Sequence, residues 1–183
     1  MERRLCHAEI SNAKISERKL AQAKKIMSGL YQDLPSYIKK GYGPFLAAIY
    51  DKKGNLIAKK ANSVVLGGRS HKHAEMNVIE AAEKILKTYD LSAHNLVLYV
   101  TAEPCMMCLG GIMWSGIKEV YYGVPSPMVQ KTTGFDEGFK PNWLQEFKKR
   151  GIVVCGNIEA KAGAKILQDY VNQKHIIYKP KRG

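Results

Sequence analysis

The chain has 183 residues, of which 45% are apolar and 25% charged, and its 29 Lys and Arg against 16 Asp and Glu give a formal net charge of +13. This composition excludes a disordered or fibrous chain and is typical of a globular domain. No apolar run approaches the roughly 18 residues of a membrane-spanning helix, and the polar start of the chain does not resemble a secretory signal. We therefore expect a cytoplasmic protein with no membrane partner.

The first third of the chain predicts one helix followed by a β-hairpin. Residues 1–40 are expected to form an N-terminal helical extension, in which Ser16 caps a helix whose pattern Pro35 interrupts. Two apolar runs, at residues 45–50 and 56–65, flank a turn that contains glycine, and this arrangement is typical of a hairpin. We therefore expect the sheet to begin with this pair of strands.

The rest of the chain alternates predicted helices and strands. His73 opens a helix with an apolar face, and Pro104 is expected to be the first residue of the next helix, because proline lacks only an N–H that would be unpaired there. Residues 125–142 are predicted to be a long loop. The other elements are strands at 96–100, 117–122 and 152–155 and helices at 143–150 and 159–173. A hairpin followed by this alternation predicts a single α/β domain over residues 1–183.

Three residues form a candidate metal site: His73, Cys105 and Cys108. The two cysteines are three residues apart at a predicted helix start, where they share a face and where the positive helix end lowers the pKa of a thiol. Two thiolates and one imidazole suit tetrahedral Zn²⁺, one ion per chain. Three protein ligands leave a fourth position for a water molecule that zinc activates, which is typical of a catalytic site.

Glu75 lies two residues after His73 and is predicted to be a catalytic general acid and base that does not bind the metal. Each of the two motifs, taken alone, also has a non-catalytic interpretation. A His-x-Glu at a helix start is usually a surface or capping feature, and a Cys-x-x-Cys can be a redox pair or half of a zinc ribbon. No second Cys-x-x-Cys completes a ribbon here. The joint occurrence of the two motifs, in this order, favours a zinc-dependent deaminase of nucleobases.

The chain resembles the cytidine deaminase-like superfamily. Four segments, taken in their order along the chain, resemble its guanine deaminase (nucleoside deaminase-like) branch: GPFLAAIYDKKGNLIAKKANSVV, HAEMNVIEAA, TAEPCMMCLGGIMWSGIKEVYYG and TGFDEGF. The resemblance covers about residues 43–178. It implies a three-layer α/β/α fold with a five-stranded mixed sheet, and usually a homodimer. It also implies hydrolytic removal of an exocyclic amine from a nucleobase or nucleoside, with guanine to xanthine plus ammonia favoured.

The resemblance also implies substrate-binding residues. Phe45 and Trp114 would stack on the base or wall it, although either could be a plain core residue. Asn62 would hydrogen-bond a ring carbonyl or ring nitrogen, unless it merely ends a strand. The backbone N–H of Ala74 would bind a substrate oxygen.

Near the C-terminal half of the match, the resemblance implies a second catalytic carboxylate and a closing tyrosine. Glu137 would reach the base and shuttle a proton, and the adjacent Asp136 is the alternative that could contact the substrate instead. Tyr178 would close the site, in some members of the branch from the partner subunit.

Alternatives to a guanine substrate remain open at this level. A tRNA-specific adenosine deaminase fits the charge of +13, but the lysines are scattered without interleaved aromatics, which favours a solvated basic surface over a nucleic-acid partner. A cytosine-, cytidine- or aminotriazine-type deaminase is a further alternative. A catalytically silent zinc scaffold is disfavoured by the presence of Glu75. Met106 replaces a proline that is frequent in related enzymes, and residues 66–72 lack their usual Asp-Pro, so the substrate is the open question.

Overall fold

A five-stranded mixed sheet forms the centre of the computed structural model, which describes residues 15–179. The strand order is β2-β1-β3-β4-β5, with β1 antiparallel to both β2 and β3, and with β3, β4 and β5 parallel. The carboxyl-terminal ends of the parallel strands β3 and β4 therefore lie side by side at the same end of the sheet. The strands are β1 Leu46–Tyr50, β2 Leu56–Ala61, β3 Val97–Ala102, β4 Glu119–Val124 and β5 Val153–Cys155.

Helices cover both faces of the sheet. The helix α3 packs on β1 and β2 and against α4, whereas α1 and α7 pack together over β3 and β4. The predicted three-layer α/β/α fold with a five-stranded mixed sheet is therefore confirmed. No helix within residues 15–179 is both long and apolar enough to cross a membrane. The helices are α1 Glu17–Lys39, α2 Val64–Gly67, α3 Ala74–Leu86, α4 Met106–Ser115, α5 Ser126–Thr133, α6 Trp143–Lys149 and α7 Ala160–Asn172, with a short 3₁₀ turn at Ser92–His94.

The first helix begins where the sequence predicts but does not stop at its proline. The Ser16 side chain accepts a hydrogen bond from the Lys19 backbone N–H at 3.3 Å. The helix then runs through Pro35 to its end at Lys39. Proline removes one backbone hydrogen bond, but buried Leu34 on the same helix keeps its packing on the core, which offsets that loss.

The same helix is part of the core rather than an extension of it. Its buried face includes Met27 and Tyr31, and the Tyr31 hydroxyl donates to the backbone oxygen of Thr101 in β3 at 3.0 Å. A Cβ atom at Gly123 or Gly163 would overlap the Tyr31 ring or hydroxyl, so both positions require glycine for this helix to approach the sheet. The remaining part of the predicted extension, residues 1–14, lies outside the described residues.

Two further predictions about local structure are wrong. Residues 125–142 are not one loop, because α5 forms at their start, with Pro127 in its first turn and Gly134 in the left-handed conformation at its end. The segment after β2 also turns into the short α2 instead of remaining extended. Pro104 lies just before the helix start, since Cys105 is the N-cap of α4.

Candidate active site

The three predicted metal ligands lie together. The Nδ1 atom of His73 is 3.5 Å from Cys105 Sγ and 3.6 Å from Cys108 Sγ, and the two sulfurs are 3.6 Å apart. Tetrahedral zinc with Zn–S bonds of about 2.3 Å and a Zn–N bond of about 2.0 Å would separate two sulfurs by about 3.8 Å and a sulfur from the nitrogen by about 3.5 Å. The donor atoms of this group therefore have the spacing that tetrahedral zinc requires.

Two helix starts bring these ligands together. His73 is the N-cap of α3 and Cys105 is the N-cap of α4, and Cys108 lies in the first turn of α4. Because α3 and α4 pack side by side, their N-termini, where backbone N–H groups are unpaired, point at one place. Both helix dipoles thus favour negative charge at the metal group, and the thiolates supply it.

The sulfurs of Cys105 and Cys108 are hydrogen-bonded to each other at 3.6 Å. Hydrogen bonding from Cys108, opposed by burial and helped by His73, lowers the pKa of Cys105 to about 4. The same hydrogen bond, together with burial, raises the pKa of Cys108. The opposite directions have one cause, the hydrogen bond between the two sulfurs. A metal ion that binds both sulfurs must displace the thiol proton held between them.

Glu75 lies in the first turn of α3 beside the ligands, and its side chain is nearly enclosed at 6% exposure. Burial, and then the Cys105 thiolate, raise the pKa of the Glu75 carboxyl group. His73 acts in the opposite direction. A buried carboxyl whose affinity for a proton is raised in this way is suited to take up and release a proton during a reaction.

A cavity of about 610 Å³ opens beside the metal group. Besides His73, Cys105 and Glu75, its walls include five of the sequence-predicted substrate and catalytic residues: Phe45, Asn62, Asp136, Glu137 and Tyr178. The volume is in the range of small-molecule sites, and the walls combine apolar side chains with a few polar groups, as such sites do. Residues that are far apart in the sequence thus meet in one cavity.

Three aromatic rings form one side of this cavity. The Phe135 ring lies 5.4 Å from that of Phe45 and 5.0 Å from that of Tyr178, both in edge-on contacts. The Tyr178 ring also makes an edge contact with His73 at 6.2 Å. Phe135 was not predicted as a site residue, although its place in TGFDEGF beside two predicted residues was a usable signal. An edge-to-face cluster of this kind gives the cavity an apolar aromatic wall.

Asn62 is buried at 1% exposure, and its side-chain amide is held at both ends. The amide nitrogen donates to the Tyr178 hydroxyl at 2.7 Å, and the amide oxygen accepts from the Val64 backbone N–H at 3.2 Å. Gly43 allows this placement, since a Cβ atom there would lie only 2.8 Å from the Asn62 oxygen. Burial raises the pKa of Tyr178, so its hydroxyl keeps a proton that it can donate into the cavity.

The two acids of the GFDEG segment have different surroundings. Glu137 is half-buried, and burial raises the pKa of its carboxyl group to about 7, while Lys140 acts in the opposite direction. Asp136 is exposed, and its carboxylate accepts the Gly138 backbone N–H at 2.9 Å within a turn. Of the two, Glu137 has the environment of a proton-transfer group.

A family model described as the cytidine and deoxycytidylate deaminase zinc-binding region matches residues 20–124, which hold all three ligands and Glu75. The chain belongs to this deaminase family.

Individual relatives of the deaminase carry different names. The guanine deaminase of Bacillus subtilis (strain 168) is 39% identical over 97 residues, which are 53% of this chain and 60% of that one. The tRNA-specific adenosine deaminase of the same organism is 37% identical over 127 residues, 68% of this chain and 74% of that one. A solved structure of guanine deaminase from Nitrosomonas europaea is 33% identical, covers 88% of this chain and 90% of that one, and has a TM-score of 0.76.

Trp114 is not part of the deaminase cavity, so its predicted place against the base is wrong for this subunit. It lies nine residues after Cys105, which on a helix is about 13 Å along the axis and half a turn around it, and its side chain is 83% exposed. Met106 and Met107 of the same helix line the cavity instead. Ala74 is fully buried as the first residue of α3, and the substrate contact of its backbone N–H stays a prediction.

Proposed function

We propose that this deaminase hydrolyses the exocyclic amine of guanine and releases xanthine and ammonia. The observation that carries the proposal is the pair of buried carboxyl groups, Glu75 and Glu137, which line the same cavity beside the metal group and both have raised pKa values. Relatives named guanine deaminases, one curated and one solved as a structure, support the choice of base.

Hydrolysis replaces the exocyclic amino group with the oxygen of water. Of the two protons of that water, one leaves with the amine as ammonia and the other ends on a ring nitrogen. Bound zinc would supply Lewis-acid activation of the water. Glu75, beside the ligands, takes a proton from the water and delivers it. Glu137, with a pKa of about 7, exchanges the second proton at neutral pH.

The other cavity residues orient the base. The aromatic side formed by Phe45 and Phe135 stacks against the purine plane. Asn62 and Tyr178 present an amide and a hydroxyl to the polar edge of the ring, and their mutual hydrogen bond holds both in place before the base arrives. Asp136 contacts the substrate at the rim of the cavity. The backbone N–H of Ala74 binds a substrate oxygen.

A tRNA substrate is the second candidate, and one surface feature favours it. A groove of about 490 Å³ beside the catalytic cavity shares Arg69 with it and carries four lysines. Three of these are partly neutralised, since Lys72 and Lys84 both pair with Glu80 and Lys59 pairs with Asp33. A phosphate backbone bound along this groove would lead into the cavity. Such binding would agree with the name of one relative, a tRNA-specific adenosine deaminase.

An ammonia-release screen separates the two candidates. Guanine, guanosine, cytosine, cytidine, an aminotriazine and tRNA are assayed with the zinc-loaded protein at 50 and 500 mM salt, with a chelator control. We expect guanine to be the fastest substrate, with equal rates at both salt concentrations and none after metal removal. Turnover of tRNA that falls by orders of magnitude at high salt, with guanine inert, would refute the guanine assignment.

We also propose that the protein is a homodimer whose subunits meet on α4. Trp114, near the end of this helix, is 83% exposed, and Met106 and Met107 at its start, which also line the cavity, are 40% and 38% exposed. Exposure of three large apolar side chains along one helix suggests that a partner covers part of it. A second copy would cover Trp114 and approach the cavity wall at the two methionines. We expect light scattering to give twice the chain mass, and Trp114→Asp to give a folded monomer. A wild-type monomer at micromolar concentration would contradict this proposal.

A further inference from the structure

The most enclosed ion pair of residues 15–179 borders the catalytic cavity. The Lys140 Nζ lies 3.0 Å from Glu103 Oε1, and the two side chains are 12% and 11% exposed. Every other ion pair among the described residues has at least one side chain above 40% exposure. An enclosed pair fixes the geometry of its two chain segments more firmly than a solvated pair does, because water competes less for its charges.

This pair joins three segments of the catalytic end. Glu103 lies two residues before the ligand Cys105, and its second oxygen accepts the Ser126 backbone N–H, at the start of α5, at 2.9 Å. Lys140 also donates to the Ser126 hydroxyl. Lys140 itself lies three residues after Glu137. The ion pair therefore connects the segment that carries the second carboxylate to the segment that carries the metal ligands.

Glu137 needs such a connection, because no hydrogen bond within residues 15–179 holds its carboxylate. On its N-terminal side, Phe135 is fixed by ring contacts in the core. On its C-terminal side, Lys140 provides the next anchor. Glu137 also lines a second cavity of about 410 Å³, which shares Glu103 with the catalytic cavity. Without the second anchor, the carboxylate could turn toward that second cavity.

We propose that Lys140 is a positioning residue, which through its ion pair with Glu103 keeps the Glu137 carboxylate directed into the catalytic cavity. This inference rests on the proposed function, because it assigns Glu137 a role in proton transfer. The lysine touches neither the metal ligands nor the base, so its effect on turnover passes through Glu137.

The charge of Lys140 also acts on the same carboxylate. Burial, Cys105 and Glu75 raise the pKa of Glu137, whereas Lys140 and His73 lower it. Loss of the lysine would thus leave Glu137 both less directed and harder to ionise.

A double-mutant cycle tests the inference. We expect Lys140→Met to reduce kcat about 10- to 100-fold, the cost of a small misplacement of a reacting group, with the zinc content unchanged. Lys140→Arg should recover most of the rate. In a Glu137→Gln background, Lys140→Met should change kcat less than 2-fold, because the group that it positions is gone. An equal loss in both backgrounds, or no loss from Lys140→Met, would overturn the proposal.

A measurement without substrate keeps this inference separate from the proposed function. In the zinc-loaded protein, hydrogen exchange of residues 134–139 should accelerate in Lys140→Met and not in a control, Lys19→Met, which removes an ion pair with Glu119 elsewhere. Lys140→Gln, which retains a donor to Glu103, replaces the Met variant if that one does not fold. Unchanged exchange would refute the positioning role, whereas accelerated exchange in a wild-type protein that releases no ammonia from guanine would refute only the guanine assignment.

Discussion

The two ends of the sheet use similar side chains for different purposes. At the end where β3 and β4 begin, Glu119 pairs with Lys19 at 2.9 Å and accepts the Tyr121 hydroxyl at 2.7 Å, and the Tyr121 ring stacks on Tyr99. At the end where these strands finish, Glu75 and Glu137 face a cavity. At the first end, the Glu119 carboxylate forms its hydrogen bonds and ion pair with residues of helices and strands. At the second end, the Glu75 and Glu137 carboxyl groups are accessible to a ligand. This contrast supports our proposal that the reaction takes place at the cavity end of the sheet.

Glu75→Gln and Glu119→Gln test this contrast most strongly. We expect Glu75→Gln to lower kcat by about 10²- to 10⁴-fold with the zinc content unchanged, because it removes the proton carrier and no ligand. Glu119→Gln should leave kcat within 2-fold and cost about 1–3 kcal/mol of unfolding free energy, since it weakens only structural hydrogen bonds. Ammonia release, metal analysis and urea unfolding give the three readouts. If Glu119→Gln impaired kcat as much as Glu75→Gln does, the two ends would not differ in purpose.

The pH dependence of stability sharpens the contrast. The pKa of Glu137 is about 7 in the folded protein and near its ordinary value of 4.5 when unfolded. Between these values the folded state holds a proton that the unfolded state has released, so the free energy of unfolding falls as pH rises from about 4.5 to 7. In Glu137→Gln this contribution should vanish. Urea midpoints of the metal-free proteins across that pH range measure it, and parallel curves for wild type and variant would contradict the raised pKa.

A pair of tyrosine substitutions gives the smallest expected effect. Tyr178→Phe removes the hydroxyl that accepts from Asn62, and we expect kcat/KM to fall about 3- to 10-fold, the value of one hydrogen bond. Tyr121→Phe removes a hydroxyl at the other end, and we expect it to lower stability by about 1 kcal/mol without changing kcat/KM. Steady-state kinetics and thermal melts separate the outcomes. Equal kcat/KM values for Tyr178→Phe and wild type would remove Tyr178 from the site.

The metal group was predictable from the sequence because its chemistry is local. His73, Cys105 and Cys108 stand at two helix starts, and the residue types and short spacings specify both the helix position and the ligand set. Glu75 follows from the same spacing. The order of strands and helices was predictable for a similar reason, because the spacing of apolar residues within each segment indicates whether it is a helix or a strand.

What sequence reasoning missed depends on contacts between distant residues. Lys140 and Glu103 are 37 residues apart, and nothing local marks them as partners. The helix through Pro35 survives because tertiary packing outweighs one missing hydrogen bond, which propensity alone does not reveal. Trp114 is different, because its helical phase relative to Cys105 already excludes it from the metal-facing side of α4.

The close packing of Tyr31 against Gly123 and Gly163 limits how far the chain can be truncated from its N-terminal side. A chain begun at residue 43, where the first quoted motif segment starts, would lack α1 and uncover the apolar surface over β3 and β4. Such a fragment would keep every ligand and every proposed catalytic group, yet we expect it to aggregate. The smallest stable unit therefore begins ahead of Ser16, and the catalytic motifs alone do not delimit a folding unit.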